Sequence, residues 1–177
     1  MRAVVCGFMG LARLVELAWS RRNVEGSGQT RERQWSRRLY PLIVLVHATV
    51  IVGTLLFGRE RASRPWLTAL LAVQPLRYWV LLTLGRRWNA RGAVPVEMDV
   101  ATTGPYAFVR HPNYSVVAVE LASLPAAFGL SRLAIGATVA NAALLAMRVH
   151  EEESLLFELP GYREHFEDKP RFLPGLV

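Results

Sequence analysis

Gly104-Pro105-Tyr106-Ala107-Phe108-Val109-Arg110-His111-Pro112-Asn113-Tyr114 is polar, aromatic and punctuated by prolines, and apolar segments long enough to live in a bilayer flank it. Hydrophobic residues make up 52% of the 177-residue chain and its mean hydropathy is +0.22, yet it carries 21 lysines and arginines, all but Lys169 arginine. The apolar residues are therefore gathered into runs, with the charges between them. That is the composition of a small polytopic membrane protein, all-α, and the length is that of one domain. A net charge of +7 and a pI near 10.5 suit nucleic-acid binding in the abstract. Here the arginines sit beside apolar runs, as topology determinants do, so no nucleic-acid partner is expected. The single Cys6 lies in an apolar run, which rules out a disulfide framework. No signal-cleavage site is evident, so residues 3–19 read as a retained first helix.

Outward from the opening stretch, the spacing predicts about five transmembrane segments. They cover residues 3–19, 40–57, 65–84, 115–130 and 133–147, the last two short for a full crossing. Arg13 and Glu16, three apart, read as an ion pair on one helix face. Residues 20–39 read as a polar loop with a Gly26-Ser27-Gly28 turn, and Trp35 and Tyr40 as interface anchors. His47 reads as a histidine hydrogen-bonded inside the bundle. Gln74 and Arg77 flank Pro75, and they either mark a cavity or satisfy freed backbone groups. Glu120 and Asn141 are candidate buried polar residues. The tail from Arg148 is amphipathic, with a second short helix around residues 162–168. Residues 1–84 thus form three N-terminal membrane helices and residues 85–177 the catalytic part of one domain. With five spans, loops 20–39 and 85–114 and the tail share one side. The positive-inside rule makes that side cytoplasmic and the N-terminus external.

Arg110-His111-Pro112-Asn113-Tyr114 places a cation, an imidazole, an amide and a phenol within five residues. Pro112 disfavours the α region for His111, so the run reads as a fixed turn leading into the fourth segment. By itself it is equally a helix cap with an aromatic anchor. Downstream, Arg148 and Glu152 are four apart and share a helix face. By themselves they read as a plain ion pair on a solvated helix face. No strand, Gly-rich turn and helix follow one another, which excludes a soluble dinucleotide-binding fold.

Together the two motifs resemble the isoprenylcysteine carboxyl methyltransferase family of integral membrane methyltransferases. The family pattern is Arg-His-Pro-x-Tyr, a spacer, Glu-Glu-x-x-Leu, then Tyr and Pro-Arg. This chain has Arg110 to Tyr114, then Glu152-Glu153-Ser154-Leu155-Leu156, then Tyr162 and Pro170-Arg171. Gly104-Pro105-Tyr106 precedes the first motif as in the family. The stretch Met98-Asp99-Val100-Ala101-Thr102-Thr103 departs from the relatives' His or Gly followed by Leu-Val-Thr-Ser. The resemblance implies a cytoplasmic pocket for S-adenosylmethionine, built from a loop and C-terminal helices. Its cofactor contacts fall on Met98, Asp99, Val100, Ala101, Tyr106, His111, Pro112, Asn113, Tyr114 and Glu152. It makes Arg148 the substrate-side catalytic residue, with His111 as a second catalytic candidate.

Methyl transfer from a sulfonium requires alignment with the attacking oxygen and exclusion of water. Tyr106 and Tyr114 can pack on the adenine or the sulfonium, and Arg148 can hold an oxyanion. A carboxylate acceptor needs no base, whereas a phenol, with a pKa of about 10, needs a base or a nearby cation. Arg13-Leu14-Val15-Glu16-Leu17 and Tyr40-Pro41-Leu42 further resemble a bacterial subgroup that methylates alkylpyrones or alkylresorcinols. The expected function is therefore O-methylation of a lipophilic phenolic or enolic acceptor in the bacterial cell membrane. The alternatives are carboxyl methylation of an isoprenylcysteine-like lipid and a non-catalytic membrane scaffold. A sterol-reductase-like enzyme is disfavoured by Glu152-Glu153.

Overall fold

The computed structural model describes residues 1–96 and 99–175. In chain order it has α1 (Arg2–Gly26), β1 (Thr30–Arg31), α2 (Gln34–Phe57), α3 (Arg64–Leu84), β2 (Val94–Pro95), α4 (Pro112–Ala127), α5 (Ser131–Leu156) and α6 (Tyr162–Phe166). Short 3₁₀ turns cover Gly85–Arg87 and Gly104–Ala107. The protein is an all-α membrane bundle whose helices α1 to α5 run back and forth between two ends. At the far end, Arg59 and Ser63 donate backbone N–H bonds to the Phe128 and Ala127 carbonyls at 2.8 and 2.7 Å, and Arg2 pairs with Glu60 at 2.7 Å. At the near end, the Asn23 amide donates to the Gly85 and Trp88 carbonyls at 3.0 and 2.7 Å. There β1 also pairs antiparallel with β2, tying the α1–α2 connection to the loop after α3.

Three boundaries differ from those the sequence suggests. Helix α1 continues past Trp19 through Ser20-Arg21-Arg22 to Gly26, and α2 begins at Gln34, so most of the expected 20–39 loop is helical. Helix α5 is one element of 26 residues, joining the fifth apolar segment to Arg148–Leu156 without a break. It is therefore not short for a crossing. The reason is common to both: a change from apolar to polar residues marks the membrane boundary, whereas i→i−4 hydrogen bonding continues until a cap or glycine stops it. Four helices, α1, α2, α3 and α5, are long and apolar enough to cross a membrane. Helix α4 has 16 residues, about 24 Å. It is the central helix, with Val116, Leu121, Leu124 and Ala127 all buried. Leu11, Val15, Leu45, Leu56, Leu82 and Ile135 are exposed on the outer faces, as lipid contact requires.

Packing divides the bundle along its length. Towards the far end Cys6, Met9, Val50, Leu70, Val117, Leu121, Leu124 and Phe128 form a solid core. Next to it lies a buried four-charge network. Arg77 donates to both Glu16 oxygens, at 3.2 Å through Nε and 2.5 Å through Nη2. Arg13 reaches Glu16 at 2.9 Å and Glu120 at 3.5 Å, and Gln74 donates to Glu120 at 3.0 Å. The Arg13–Glu16 pair is thus real, but it belongs to a larger unit joining α1, α3 and α4. Gln74 also donates to the Leu70 carbonyl at 3.0 Å, so it serves both the network and the backbone beside Pro75.

Two cations and two anions balance within this network. Removing one leaves an uncompensated charge at membrane depth, which costs about 3–5 kcal/mol. Arg77→Met is expected to lower stability in detergent by that amount, and adding Glu16→Gln to recover more than half of it. Thermal unfolding of the purified variants checks this; an additive double variant would show that the network is not a unit.

Candidate functional site

Three pieces of chain meet at the near end. The first is the loop before α4. Gly104 has φ +58°, and a Cβ there would lie 2.6 Å from Thr83 Oγ1 and 3.0 Å from Trp79 Nε1, so only glycine lets the loop rest on α3. The following 3₁₀ turn sets Tyr106. Burial, together with the Glu152 carboxylate, pushes the Tyr106 phenol above its ordinary range, so it remains a neutral O–H. His111 takes φ −128° and ψ 59°, outside the α region, with Pro112 opening α4.

The second piece is the C-terminal strap after α6. The N–H groups of Arg110 and His111 donate to the carbonyls of Pro170 and Arg171 at 3.0 and 2.8 Å, and Arg110 Nε donates to Lys169 O at 2.8 Å. Glu153, from the third piece, locks the strap to the loop. Its carboxylate accepts from His111 Nε2 at 3.2 Å and from Arg171 Nη2 at 2.8 Å, and it pairs with Arg110 at 3.3 Å. A carboxylate only accepts, so His111 directs its Nε2–H at Glu153, and in the neutral ring Nδ1 is then the acceptor. Its ring stacks on Tyr114, centroids 5.3 Å apart and planes at 22°.

The third piece is the last three turns of α5. Arg148 and Glu152 lie 3.8 Å apart with side chains 6% and 21% exposed. This is no solvated surface pair. Tyr114 Oη donates to Glu152, and the Arg148 guanidinium lies 5.8 Å from the centre of the Tyr114 ring. Gly92, at φ +74°, lies against this guanidinium; a Cβ there would be 3.1 Å from Nη2 and 3.3 Å from Nε. Arg148 Nε is buried without a hydrogen-bond partner, with Glu152 Oε2 beyond bonding distance at 3.8 Å.

Asp99, Val100, Ala101, Tyr106, His111, Asn113, Tyr114, Arg148 and Glu152 all line one cavity of about 500 Å³, within the usual range for cofactor sites. Pro112 is buried at the start of α4 and shapes the backbone rather than the wall. Met98 lies outside the described residues. The cavity continues between α1 and α2, where Leu14 and Val52 both line it and lie exposed on the outer face.

Four contributors escape a reading of the sequence. Glu153 looks like one more member of a Glu151-Glu152-Glu153 run, yet it is 5% exposed and holds three cationic or imidazole partners. Arg77 donates to Asn113 Oδ1 at 2.9 Å and so orients a residue of the first motif from α3. Gly92 precedes the short β2, and that placement is the only sequence signal for its close approach. Asn141 is recognisable as buried but not as a cavity residue.

The groups lining the cavity fit S-adenosylmethionine: carboxylates for hydroxyls or an ammonium, a guanidinium, and two tyrosine faces for a ring or a cation. Comparison with known proteins points the same way. Residues 66–158 match the family model described as isoprenylcysteine carboxyl methyltransferase (ICMT) family. An uncharacterized protein, YpbQ of Bacillus subtilis, is 29% identical over 152 residues, covering 82% of this chain and 90% of that protein. The cobalt-zinc-cadmium resistance protein CzcN of Cupriavidus metallidurans is 30% identical over 135 residues. The nickel-cobalt-cadmium resistance protein NccN of Alcaligenes xylosoxydans xylosoxydans is 28% identical over the same length. Each of these two alignments covers 74% of this chain, which spans 62% of the length of either protein. The family match covers more than half of the chain and both halves of the folded cavity wall, so this membrane protein belongs to the isoprenylcysteine carboxyl methyltransferase family, whose members use S-adenosylmethionine as methyl donor.

Proposed function

We propose that the protein is an O-methyltransferase for a lipophilic acceptor, a phenolic or enolic head on a long chain, with S-adenosylmethionine as donor. The observation that carries this reading is that one cavity is lined both by the residues of the two motifs and by Leu14 of α1 and Val52 of α2, apolar side chains that are themselves exposed. A lipid can slide in sideways there with its head towards Arg148. The bacterial inner membrane and a cytoplasmic site are part of the proposal. Arg2, Arg59, Arg61, Arg64 and Arg132 lie at the far end, Arg13 and Arg77 lie within the bundle, and all other cations lie at the site end. That asymmetry supports a cytoplasmic site. Among the described residues no three His, Cys, Asp or Glu side chains converge on a metal position.

When bound, S-adenosylmethionine supplies a methyl group on a sulfonium centre. The chain's own residues do the rest. Glu152, braced by Tyr114, offers acceptors for hydroxyls, and Tyr106 and Tyr114 offer aromatic faces. Arg77 fixes the Asn113 carboxamide. Arg148 stabilises the phenolate or enolate oxygen by charge-assisted hydrogen bonds, which removes the need for a strong base. His111 Nδ1 is left to accept a proton or a cofactor hydrogen bond.

Cofactor binding to the detergent-purified protein, measured by calorimetry, tests the donor; no binding at millimolar concentration would sink the reading. His111→Ala and Glu152→Ala are each expected to weaken binding at least tenfold, on the order of 1.4 kcal/mol. Arg148→Ala is expected to keep it but lower turnover about 10²–10³-fold. Full turnover by Arg148→Ala would remove its substrate-side role. Labelled-methyl transfer into a total lipid extract, with mass identification of the product, decides between a phenolic and a carboxylate acceptor. Gly92→Ala is expected to displace the Arg148 guanidinium, lowering kcat about tenfold with cofactor affinity unchanged. An unaltered kcat would show that the close approach is incidental.

A further inference from the structure

Below Arg148 the cavity wall carries polarity that methyl transfer does not use. Asn141, Leu145, Arg148 and Glu152 form one stripe along α5 and all line the cavity. Asn141 is 2% exposed, and its Oδ1 has no hydrogen-bond partner. It lies two turns from Arg148, about 10 Å along the helix axis. Across the cavity stands His47 of α2, also part of the lining. Its Nδ1 lies 2.8 Å from the Ile43 carbonyl. A carbonyl only accepts, so Nδ1 carries the proton, and in the neutral ring Nε2 is an acceptor. Ser36 bonded to Glu151 at 2.9 Å, and Gly53 packed against Leu133, set the α2–α5 register. That register brings His47 level with Asn141.

The Asn141 carboxamide and the His47 ring thus both line the chamber at a depth where a plain alkyl chain would leave them without a hydrogen-bond partner. An unpaired buried polar group is disfavoured, and a matching hydrogen-bonding group on the ligand makes such a site selective. We propose that Asn141, with His47 opposite, is a second polar subsite that selects acceptors bearing a hydroxyl or amide N–H on the chain, about 10 Å from the methylated oxygen. This inference rests on the lipid-acceptor reading and adds a specificity element to it. The acceptor is then a functionalised chain, and the reaction that supplies it must be a chain hydroxylation or an amide-forming condensation.

The test uses two probes: an alkylresorcinol with a plain saturated chain, and its analogue with a hydroxyl on the chain about 10 Å from the ring oxygen. Affinity is measured in detergent with cofactor saturating, and methyl transfer is followed on the same samples. The wild type is expected to bind the hydroxylated probe about tenfold more tightly, the worth of one buried hydrogen bond. Asn141→Leu is expected to abolish the preference while cofactor affinity stays within about twofold. Equal affinities in the wild type, as would follow if the amide only held a water, overturn the subsite, and so does a preference that survives in Asn141→Leu. If that variant loses cofactor binding through misfolding, Asn141→Ala and His47→Leu are read the same way, and the wild-type comparison still decides. Methyl transfer to both probes without preference sinks the subsite alone. Failure of both probes to bind, with cofactor binding intact, sinks the lipid-acceptor reading and the subsite with it.

Discussion

Arg77 is a permanent cation halfway along an apolar helix, and the architecture depends on how it is neutralised. A guanidinium cannot shed its proton, so at membrane depth it must be paired or surrounded by acceptors. Glu16 meets it with both oxygens, and Asn113 takes a third hydrogen bond. Those partners come from α1 and from the first turn of α4. One side chain on α3 therefore fixes the rotation of α1 and the position of the Arg-His-Pro turn. Arg13 and Glu120 balance the remaining charge. The network also separates two regimes of packing. On its far side small and aliphatic residues fill space around Phe128; on its near side the helices stand apart around a cavity of about 500 Å³. Apolar helices gain little from association in lipid, because the tails are as apolar as the side chains. Holding an open chamber then requires strong directional contacts at its floor, and the four charges provide them.

The roof is held by a second buried carboxylate. Glu153 gathers His111, Arg110 and Arg171 from two distant parts of the chain, while its neighbour Glu152 faces the cavity and receives the Tyr114 hydroxyl. Adjacent residues on a helix point about 100° apart, so a Glu-Glu pair can serve two tasks at once. One carboxylate is structural and closes the strap over the loop. The other is presented to a ligand. The hydrogen bond from His111 Nε2 to Glu153 fixes the imidazole plane, much as a carboxylate partner fixes a catalytic histidine elsewhere. The free Nδ1 is positioned by this pair, whatever it contacts.

Much of this was legible from the residues. The Arg110–Tyr114 and Arg148–Glu152 motifs read as two walls on one side of a membrane, and the bundle puts them in one cavity. Pro112 correctly signalled that His111 lies outside the α region. What stayed hidden has physical causes. The continuations of α1 beyond Trp19 and of α5 through Glu152 were masked because charge begins where the bilayer ends, not where the helix ends. The β1–β2 clip involves two residues on each strand, too few for any periodicity to register. The role of Arg77 depends on partners 36 and 61 positions away, and no local pattern carries that information. Gly92 reads as a loop glycine until the guanidinium beside it is seen.

The same contrast between local pattern and distant partner bears on the chamber. His47 was expected to be satisfied inside the bundle, and that holds for Nδ1, which is bonded to the helix's own backbone, while the residue also lines the cavity. A histidine chosen only for packing would be replaceable by leucine in an apolar helix. So would Asn141, whose carbonyl oxygen has no partner in the protein. The polar belt at the chamber floor is already satisfied by Glu16, Glu120 and Gln74, so these two groups are not needed to neutralise it. Unpaired polar groups on the wall of an apolar chamber carry a free-energy penalty and lose it only when a matching partner arrives. Groups arranged in this way raise the affinity for a functionalised chain relative to bulk lipid, which is present in vast excess and must be kept out. An enzyme whose substrate dissolves in the same phase as its solvent has few other means of telling them apart.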